Sequence, residues 1–196
     1  MRLGRLVALA SLLASLLASR AVLAEAAQPA EPLDPGWREA LARAVADTST
    51  FSNRYVAEVW LTDMAKRLEK RIPDPQQRLE LLRHVHYEAT RAGLEPELVL
   101  AVIDVESNFN RYAISSAGAL GLMQIMPFWL QEIGQPGDNL FHIPTNLRFG
   151  CTILRYYLDM AKGDLTEALA RYNGSYGRYE YPGRVFNALN KRWFSQ

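Results

Sequence analysis

A nearly unbroken apolar run that ends in an acid, residues 98–106, constrains the fold of this chain more than any other segment. Pro96 precedes the run and suits the first turn of an α-helix. In a helix, four side chains of the segment would share one face: Val99, Val102, Ile103 and Glu106. The sequence therefore predicts a helix over residues 96–106 that carries a carboxyl group into apolar surroundings.

A carboxyl group in that position has an unusual protonation equilibrium. Desolvation favours the neutral form of Glu106 and raises its pKa, and the negative end of the helix dipole acts in the same direction. A carboxylic acid that stays protonated near neutral pH can donate a proton to a leaving oxygen. On position alone, a structural acid in a cap or an ion pair is an equally good interpretation.

The first 24 residues predict export. Arg2 and Arg5 precede an uncharged apolar stretch over residues 6–17, and small residues suited to cleavage follow near residue 24. This pattern is typical of a signal peptide and is too short for a comfortable membrane span. An uncleaved anchor is the alternative. Residues 25–36, rich in Ala, Pro and Glu, predict a flexible leader.

Charge and cysteine content exclude some classes of function. Without residues 1–24, which hold three arginines and no acid, the 22 basic residues fall to 19 against 21 acidic residues, a net charge of about −2. Nucleic-acid binding, which requires a basic surface, is therefore not expected. The lone Cys151 cannot form an internal disulfide and is expected to be a buried apolar residue.

The rest of the sequence predicts a mainly α chain with one main domain. Residues 37–75 predict a helical N-terminal extension, and residues 76–196 predict the main domain. Helices of that domain are expected over residues 76–91, 96–106, 127–133, 146–160, 165–172 and 182–193. The stretch 108–120 predicts an irregular segment or a small hairpin, and the charged run 66–71 predicts a solvated helix face.

Only one acid stands out, although most glycosidases use two carboxylates. Asp104 should not face Glu106, because residues two apart on a helix diverge, and residues 107–131 contain no Asp or Glu. A second acid from farther along the chain stays open, with three candidates that nothing distinguishes: Glu132, Asp164 and Glu180. A single acid without a partner indicates a reaction in which the substrate supplies its own nucleophile.

Several motifs occur in order along this chain. Glu106-Ser107 is followed fifteen residues after the acid by Gly121-Leu122-Met123-Gln124, and later by Tyr172-Asn173. Shorter matches accompany them: Gly93-Leu94-Glu95-Pro96, Ser116-Ala117-Gly118-Ala119-Leu120 and Asn146-Leu147-Arg148-Phe149-Gly150. Over residues 78–190 the chain resembles the soluble lytic transglycosylase (SLT) domain, a family related to goose-type lysozymes.

The resemblance implies a lysozyme-like helical domain that cleaves the β-1,4 bond between N-acetylmuramic acid and N-acetylglucosamine without water. Glu106 would act as acid and then as base, leaving a 1,6-anhydro sugar. Peptidoglycan strands would be the partner, in the periplasm or outside the cell, with no cofactor, no metal and no membrane span after signal removal. The extension is a candidate contact for an envelope protein.

The resemblance also implies supporting roles for residues that bind substrate. Met123 and Gln124 would line the groove, Asn173 would lie near the acetamido group, and Tyr172 would orient Glu106 or the sugar. Hydrogen bonds close to the acid would come from Ser107 and Ser115, and Tyr181 would form a wall of the groove. The family commonly has Ala before the Tyr-Asn pair, whereas this chain has Arg171, which affects the local contacts.

Two other functions fit the same sequence. A muramidase would use water and would need a second carboxylate or a positioned water opposite Glu106. A glycan-binding module of an envelope assembly would grip the strands and leave them intact.

Overall fold

The structure, a computed structural model, describes residues 54–194. The predicted signal peptide (1–24), the leader (25–36) and the first part of the extension (37–53) lie outside the described residues. Seven α-helices follow one another within the described part: α1 Arg54–Leu68, α2 Pro75–Arg91, α3 Pro96–Ser107, α4 Phe128–Ile133, α5 Ile143–Met160, α6 Leu165–Tyr172 and α7 Glu180–Ala188. A π-helical turn, Leu189–Trp193, continues α7.

The mainly α prediction is confirmed. Residues 54–194 contain no β-strand, and their only β-type pairing is two isolated antiparallel bridges, between Ile114 and Leu120 and between Leu120 and Ile125. These bridges lie in and just after the segment for which the sequence predicted an irregular loop or a small hairpin. The same part of the chain contains no helix long and apolar enough to cross a membrane.

Local signals in the sequence determine where several helices begin and end. The carboxylate of Asp74 accepts hydrogen bonds from the backbone of Gln76 and Gln77 at the start of α2, and Asp164 caps α6 in the same way. Such a cap satisfies backbone N–H groups that have no partner inside the helix. Gly93, at a φ of 65°, follows the end of α2, where a left-handed residue stops the helix.

Two helices begin two or three residues earlier than predicted. Helix α5 begins at Ile143 rather than at residue 146, and α7 begins at Glu180 rather than at residue 182. Pro144 and Pro182 lie in the first turns of these helices, where the missing N–H would have had no intrahelical acceptor. The predicted last helix also changes character, because its final turn is π-helical.

Helix α3 runs through the core. Six consecutive residues of this helix are buried, Leu98, Val99, Leu100, Ala101, Val102 and Ile103, so the helix is enclosed all round rather than along one face. Helices α2 and α7 and the π-helical turn pack against it, while α5 packs on α2 and α6. Cys151 of α5 is fully buried, as predicted, and burial raises the pKa of its thiol.

Helix α1 shares this core. Met64 and Leu68 are fully buried, α1 packs against α2, and the indole of Trp60 donates a 2.8 Å hydrogen bond to the Glu97 carboxylate in the first turn of α3. The division of the chain at residue 75 stays a prediction, but the residues on either side of it bury apolar surface together.

Glu88 joins α2 to α5 through a buried ionic network. Its carboxylate contacts Arg91 at 2.6 Å and Arg148 at 3.4 Å, and Arg91 also donates to the hydroxyl of Thr152 at 3.0 Å. A buried carboxylate without such partners would destabilise the fold strongly. The network therefore fixes α5 against α2 and, with it, the residues of α5 that reach the candidate site.

Gly150 on α5 is expected to tolerate no side chain. A Cβ there would lie 2.2 Å from the sulfur of Met123, so Gly150→Ala should lower the free energy of unfolding by ~1–3 kcal/mol. Gly183→Ala on α7 is the matched control, because nothing lies within 4 Å of its added Cβ, and it should be neutral or stabilising. Urea unfolding of both variants measures the difference. Equal stability of Gly150→Ala and the unaltered protein would contradict the close packing.

Candidate active site

Glu106 lies in the last turn of α3, where the buried helix emerges from the core. The helix ends immediately afterwards, because Asn108 adopts the left-handed conformation with φ of 48°. The Glu106 side chain is partly buried, and one of its oxygens, Oε1, accepts a 2.7 Å hydrogen bond from the hydroxyl of Tyr181. Tyr181 itself is only 2% exposed. The acid is therefore held in one orientation by a residue of α7.

Burial dominates the electrostatics of this carboxyl group. Desolvation raises the pKa of Glu106, while the hydrogen bond from Tyr181 and the positive charge of Arg184 act against that rise. Burial, followed by the neighbouring Glu106, raises the pKa of Tyr181 well above its usual value, so Tyr181 is a neutral donor. The raised pKa predicted for Glu106 from its sequence position is confirmed, with burial as the leading cause.

The Gly121-Leu122-Met123-Gln124 segment forms a tight turn beside the end of α3. Gly121 has φ of 76°, and a Cβ on it would lie 2.5 Å from the carbonyl oxygen of Leu140. Only glycine can adopt this backbone so close to another chain segment without strain. Gln124 is also left-handed, with φ of 51°. The glycine of the motif is thus required by the turn.

Three predicted site residues bind the backbone of this turn. The Ser107 hydroxyl donates to the carbonyl of Leu122 at 2.8 Å. The Gln124 amide donates to the carbonyl of Gly121 at 2.9 Å, and the Tyr172 hydroxyl donates to that of Met123 at 2.8 Å. Each of these hydrogen bonds stabilises the turn by ~0.5–1.5 kcal/mol, and the predicted substrate contacts of the three residues stay predictions.

Met123 does not line a groove. Its side chain is fully buried and packs against Gly150, so the structure contradicts the predicted contact between this side chain and a sugar face. The motif is apolar at this position because the turn must be anchored in the core. The backbone N–H of Met123 donates to the Asn146 side chain at 2.8 Å, which fixes the turn from the other side.

Tyr181, and not Tyr172, donates a hydrogen bond to Glu106, and the alternative that Tyr172 orients the sugar stays a prediction. Tyr172 is close enough to Glu106 for the two to interact electrostatically, and burial raises its pKa well above the usual value, but its hydroxyl binds Met123. Tyr181 donates to the acid and is too deeply buried to form the wall of a groove. The sequence thus predicted a tyrosine beside the acid but named Tyr172, whereas the tyrosine that donates to Glu106 is Tyr181.

Ser115 and Asn173 occupy different environments. The Ser115 hydroxyl accepts from the backbone N–H of Ala119 at 3.0 Å and closes the loop before the turn. Asn173 is the C-cap residue of α6, and its side chain is exposed. Of the residues predicted to bind substrate, Asn173 therefore has the most accessible side chain, and the other contacts stay predictions.

Two residues that shape the site were not singled out from the sequence. The amide of Asn146 is almost completely buried and binds Met123, Leu120 and Leu140. The guanidinium of Arg184 lies 5.6 Å from the ring centroid of Tyr181. Asn146 was quoted within a motif, and an amide at the start of an apolar helix is a signal for such a role. Nothing local distinguishes Arg184.

Two of the other acids near α3 and α6 are already engaged. Asp104 is bound by Arg192 at 2.6 Å, by Trp193 at 2.8 Å and by Arg71 at 3.4 Å. Asp164 caps α6. Glu180 is exposed in the first turn of α7. Within residues 54–194, no three His, Cys, Asp or Glu side chains are grouped so that they could hold a metal ion.

Arg171, which directly precedes the Tyr172-Asn173 pair, shapes the loop that follows α6. Its guanidinium binds Glu167 at 2.8 Å and lies 4.0 Å from the ring centroid of Tyr176. Tyr176 is 61% exposed. The cation–π contact fixes this aromatic ring in the loop between Tyr172 and Tyr181.

Comparison with known proteins places this arrangement in a family. A protein of Yersinia pestis (strain Pestoides F) named membrane-bound lytic murein transglycosylase C is 31% identical over 168 residues, covering 75% of this chain and 45% of that protein. A protein of the same name from Actinobacillus pleuropneumoniae serotype 5b (strain L20) is 42% identical over 76 residues, 39% of this chain and 19% of that protein. A protein of Enterobacteria phage PRD1 named transglycosylase is 35% identical over 105 residues, 50% of this chain and 38% of that protein.

The chain spans less than half the length of each of these relatives. The family described as the transglycosylase SLT domain matches residues 84–192, which is more than half of the chain and includes Glu106, the Gly121–Gln124 turn and Tyr181. The chain therefore belongs to the transglycosylase SLT domain family.

Proposed function

We propose that this protein is a peptidoglycan lytic transglycosylase in which Glu106 is the single catalytic residue. The observation that carries the proposal is the environment of that acid, a desolvated carboxyl group with a raised pKa whose Oε1 is bound to Tyr181 at 2.7 Å. Membership of the family and the names of the relatives, which include lytic murein transglycosylases, support the choice of substrate.

The first step is proton donation. Tyr181 occupies Oε1, so Oε2 of Glu106 carries the proton and gives it to the glycosidic oxygen between N-acetylmuramic acid and N-acetylglucosamine. As the bond between this oxygen and C1 breaks, the carbonyl oxygen of the 2-acetamido group of the muramic acid attacks C1. The intermediate is oxazolinium-like, and no carboxylate nucleophile from the protein is needed.

The second step returns the proton. Glu106, now a carboxylate, takes a proton from the C6 hydroxyl of the muramic acid, and the C6 oxygen attacks C1 and displaces the acetamido oxygen. The product is a 1,6-anhydro sugar, no water is consumed, and Glu106 is protonated again. Asp104 and Asp164 are engaged in other contacts, so a reaction that needs a second acid would have to use Glu132 or Glu180.

The wider context follows from the N-terminal sequence. A signal peptide over residues 1–24 would deliver the protein to the periplasm or the cell exterior, where peptidoglycan strands are found. The helical extension that includes α1 is the candidate contact for an envelope protein, although its residues Met64 and Leu68 also complete the core.

Replacement of the acid should abolish turnover. Glu106→Gln keeps the shape and the acceptor for Tyr181 but cannot transfer a proton, so the rate should fall by ~10²–10⁴-fold while glycan binding remains. Glu180→Gln, which alters an exposed acid, is the matched control and should keep its activity. Mass spectrometry of the soluble products should find 1,6-anhydro ends. Reducing ends would indicate a muramidase, and binding without cleavage by the unaltered protein would indicate a glycan-binding module.

Removal of the Tyr181 hydroxyl should move the pH dependence of the rate upward. Its hydrogen bond favours the carboxylate and lowers the pKa of Glu106, so Tyr181→Phe should raise that pKa and keep the acid protonated to higher pH. The decline of the rate with rising pH should therefore shift to higher pH.

Tyr172→Phe is the matched control for that measurement. This variant removes a hydroxyl that binds Met123 rather than Glu106. The rate of Tyr172→Phe should therefore decline over the same pH range as the rate of the unaltered protein. The variant should lose ~0.5–1.5 kcal/mol of stability. A shift to lower pH in Tyr181→Phe, or equal shifts in the two variants, would contradict the assigned role of Tyr181.

A further inference from the structure

The charged run over residues 66–71 is only in part the solvated helix face that the sequence predicts. Lys66, Glu69 and Lys70 are exposed. Arg67, in the last turn of α1, and Arg71, just after this helix, instead border a cleft against the C-terminal π-helical turn. The cleft has a volume of about 360 Å³ and is lined by Arg67, Arg71, Lys191, Arg192 and Trp193. We call it the basic cleft.

The cationic side chains around the basic cleft outnumber the carboxylates that pair with them. Arg67 binds Asp63 through Nε at 3.0 Å and through a terminal nitrogen at 2.6 Å. Arg71 and Arg192 share a single carboxylate, that of Asp104. Lys191 has no ion-pair partner among residues 54–194. Four cations thus meet two carboxylates around one small volume.

Several donors in the cleft are still available for a ligand. The terminal nitrogens of Arg67 are used, since they bind Asp63 and the carbonyls of Arg192 and Phe194. Arg192, by contrast, binds Asp104 through Nε, which leaves its two terminal nitrogens without a hydrogen bond inside the described part of the chain. Guanidinium and ammonium groups that converge in this way suit an oxyanion.

We propose that the basic cleft binds a carboxylate or phosphate group of an anionic ligand, with Lys191, Arg192 and Arg71 as the contacting cations. The volume is near the lower end of ligand sites, ~300–1,000 Å³, so one charged group of a larger ligand fits it. Phe194, adjacent to the cleft and 62% exposed, offers apolar surface to the part of the ligand that remains outside.

This site is separate from the proposed catalytic centre. Asp104 faces the basic cleft and Glu106 faces Tyr181, and residues two apart on a helix point in nearly opposite directions. The two sites therefore lie on different sides of the end of α3. Anion binding does not depend on the proposed glycan cleavage, and either can fail without the other.

An NMR titration of the full chain tests the proposal. The indole N–H of Trp193 binds Asp104 at the wall of the cleft, so its resonance is a local reporter. Sodium phosphate and sodium glutarate are the two probes, each compared with sodium chloride at equal ionic strength. We expect a saturable shift of the Trp193 indole signal with at least one probe and none with chloride. A response to phosphate alone identifies a phosphate-bearing ligand, and a response to glutarate alone identifies a carboxylate-bearing one.

Lys191→Ala is the decisive variant, because Lys191 is exposed and, within residues 54–194, has no partner that its loss would leave unpaired. The apparent affinity for the probe should fall by about tenfold or more, the effect of one charge-assisted hydrogen bond. Lys66→Ala removes the same charge from an exposed position outside the cleft and should change the affinity by less than about twofold. Glu106→Gln should bind the probe normally. No saturation with either probe, or equal affinity in Lys191→Ala, would overturn the proposal.

Discussion

The burial of six consecutive residues of α3, Leu98 to Ile103, is the constraint on which the rest of the structure depends. A helix that is apolar on every side must be enclosed by other elements, and here α2, α7 and the π-helical turn surround it. Its C-terminal turn is therefore fixed by the core. Glu106 inherits that position, so its desolvation is a consequence of packing rather than of any single contact. A site on an exposed helix would not raise the pKa in the same way.

The turn beside the acid shows why the residues of a motif are conspicuous without all touching substrate. The carbonyls of Gly121, Leu122 and Met123 each accept a hydrogen bond from a side chain, and Asn146 binds the Met123 N–H. Irregular backbone near a core needs such partners, since unpaired polar groups are costly there. The serine, glutamine and tyrosine of the motifs hold the loop at a defined distance from α3, which preorganises whatever surface it presents to a ligand.

The sequence predicted what local patterns determine and failed where long-range packing decides. Periodicity and helix-boundary signals located most helices, including α6, which Asp164 caps. The apolar run before Glu106 was sufficient to predict a raised pKa. The partner of the acid was not predictable, because Tyr172 and Tyr181 differ in role only through the way α6 and α7 pack. The burial of Met123 likewise depends on Gly150, which is distant in sequence.

The contrast between Asp104 and Glu106 explains how one helix end serves two purposes. Asp104 receives hydrogen bonds from two arginines and an indole, a set of donors that ties the C-terminal turn to α3. Glu106 receives one neutral hydroxyl and the more distant charge of Arg184. Full pairing would lower the pKa of Glu106 so far that it holds no proton to donate, and burial with no partner would raise the pKa so far that it does not release the proton. In the mechanism proposed above, a single residue acts as acid and then as base only between these extremes, and the hydrogen bond from Tyr181 would provide that balance.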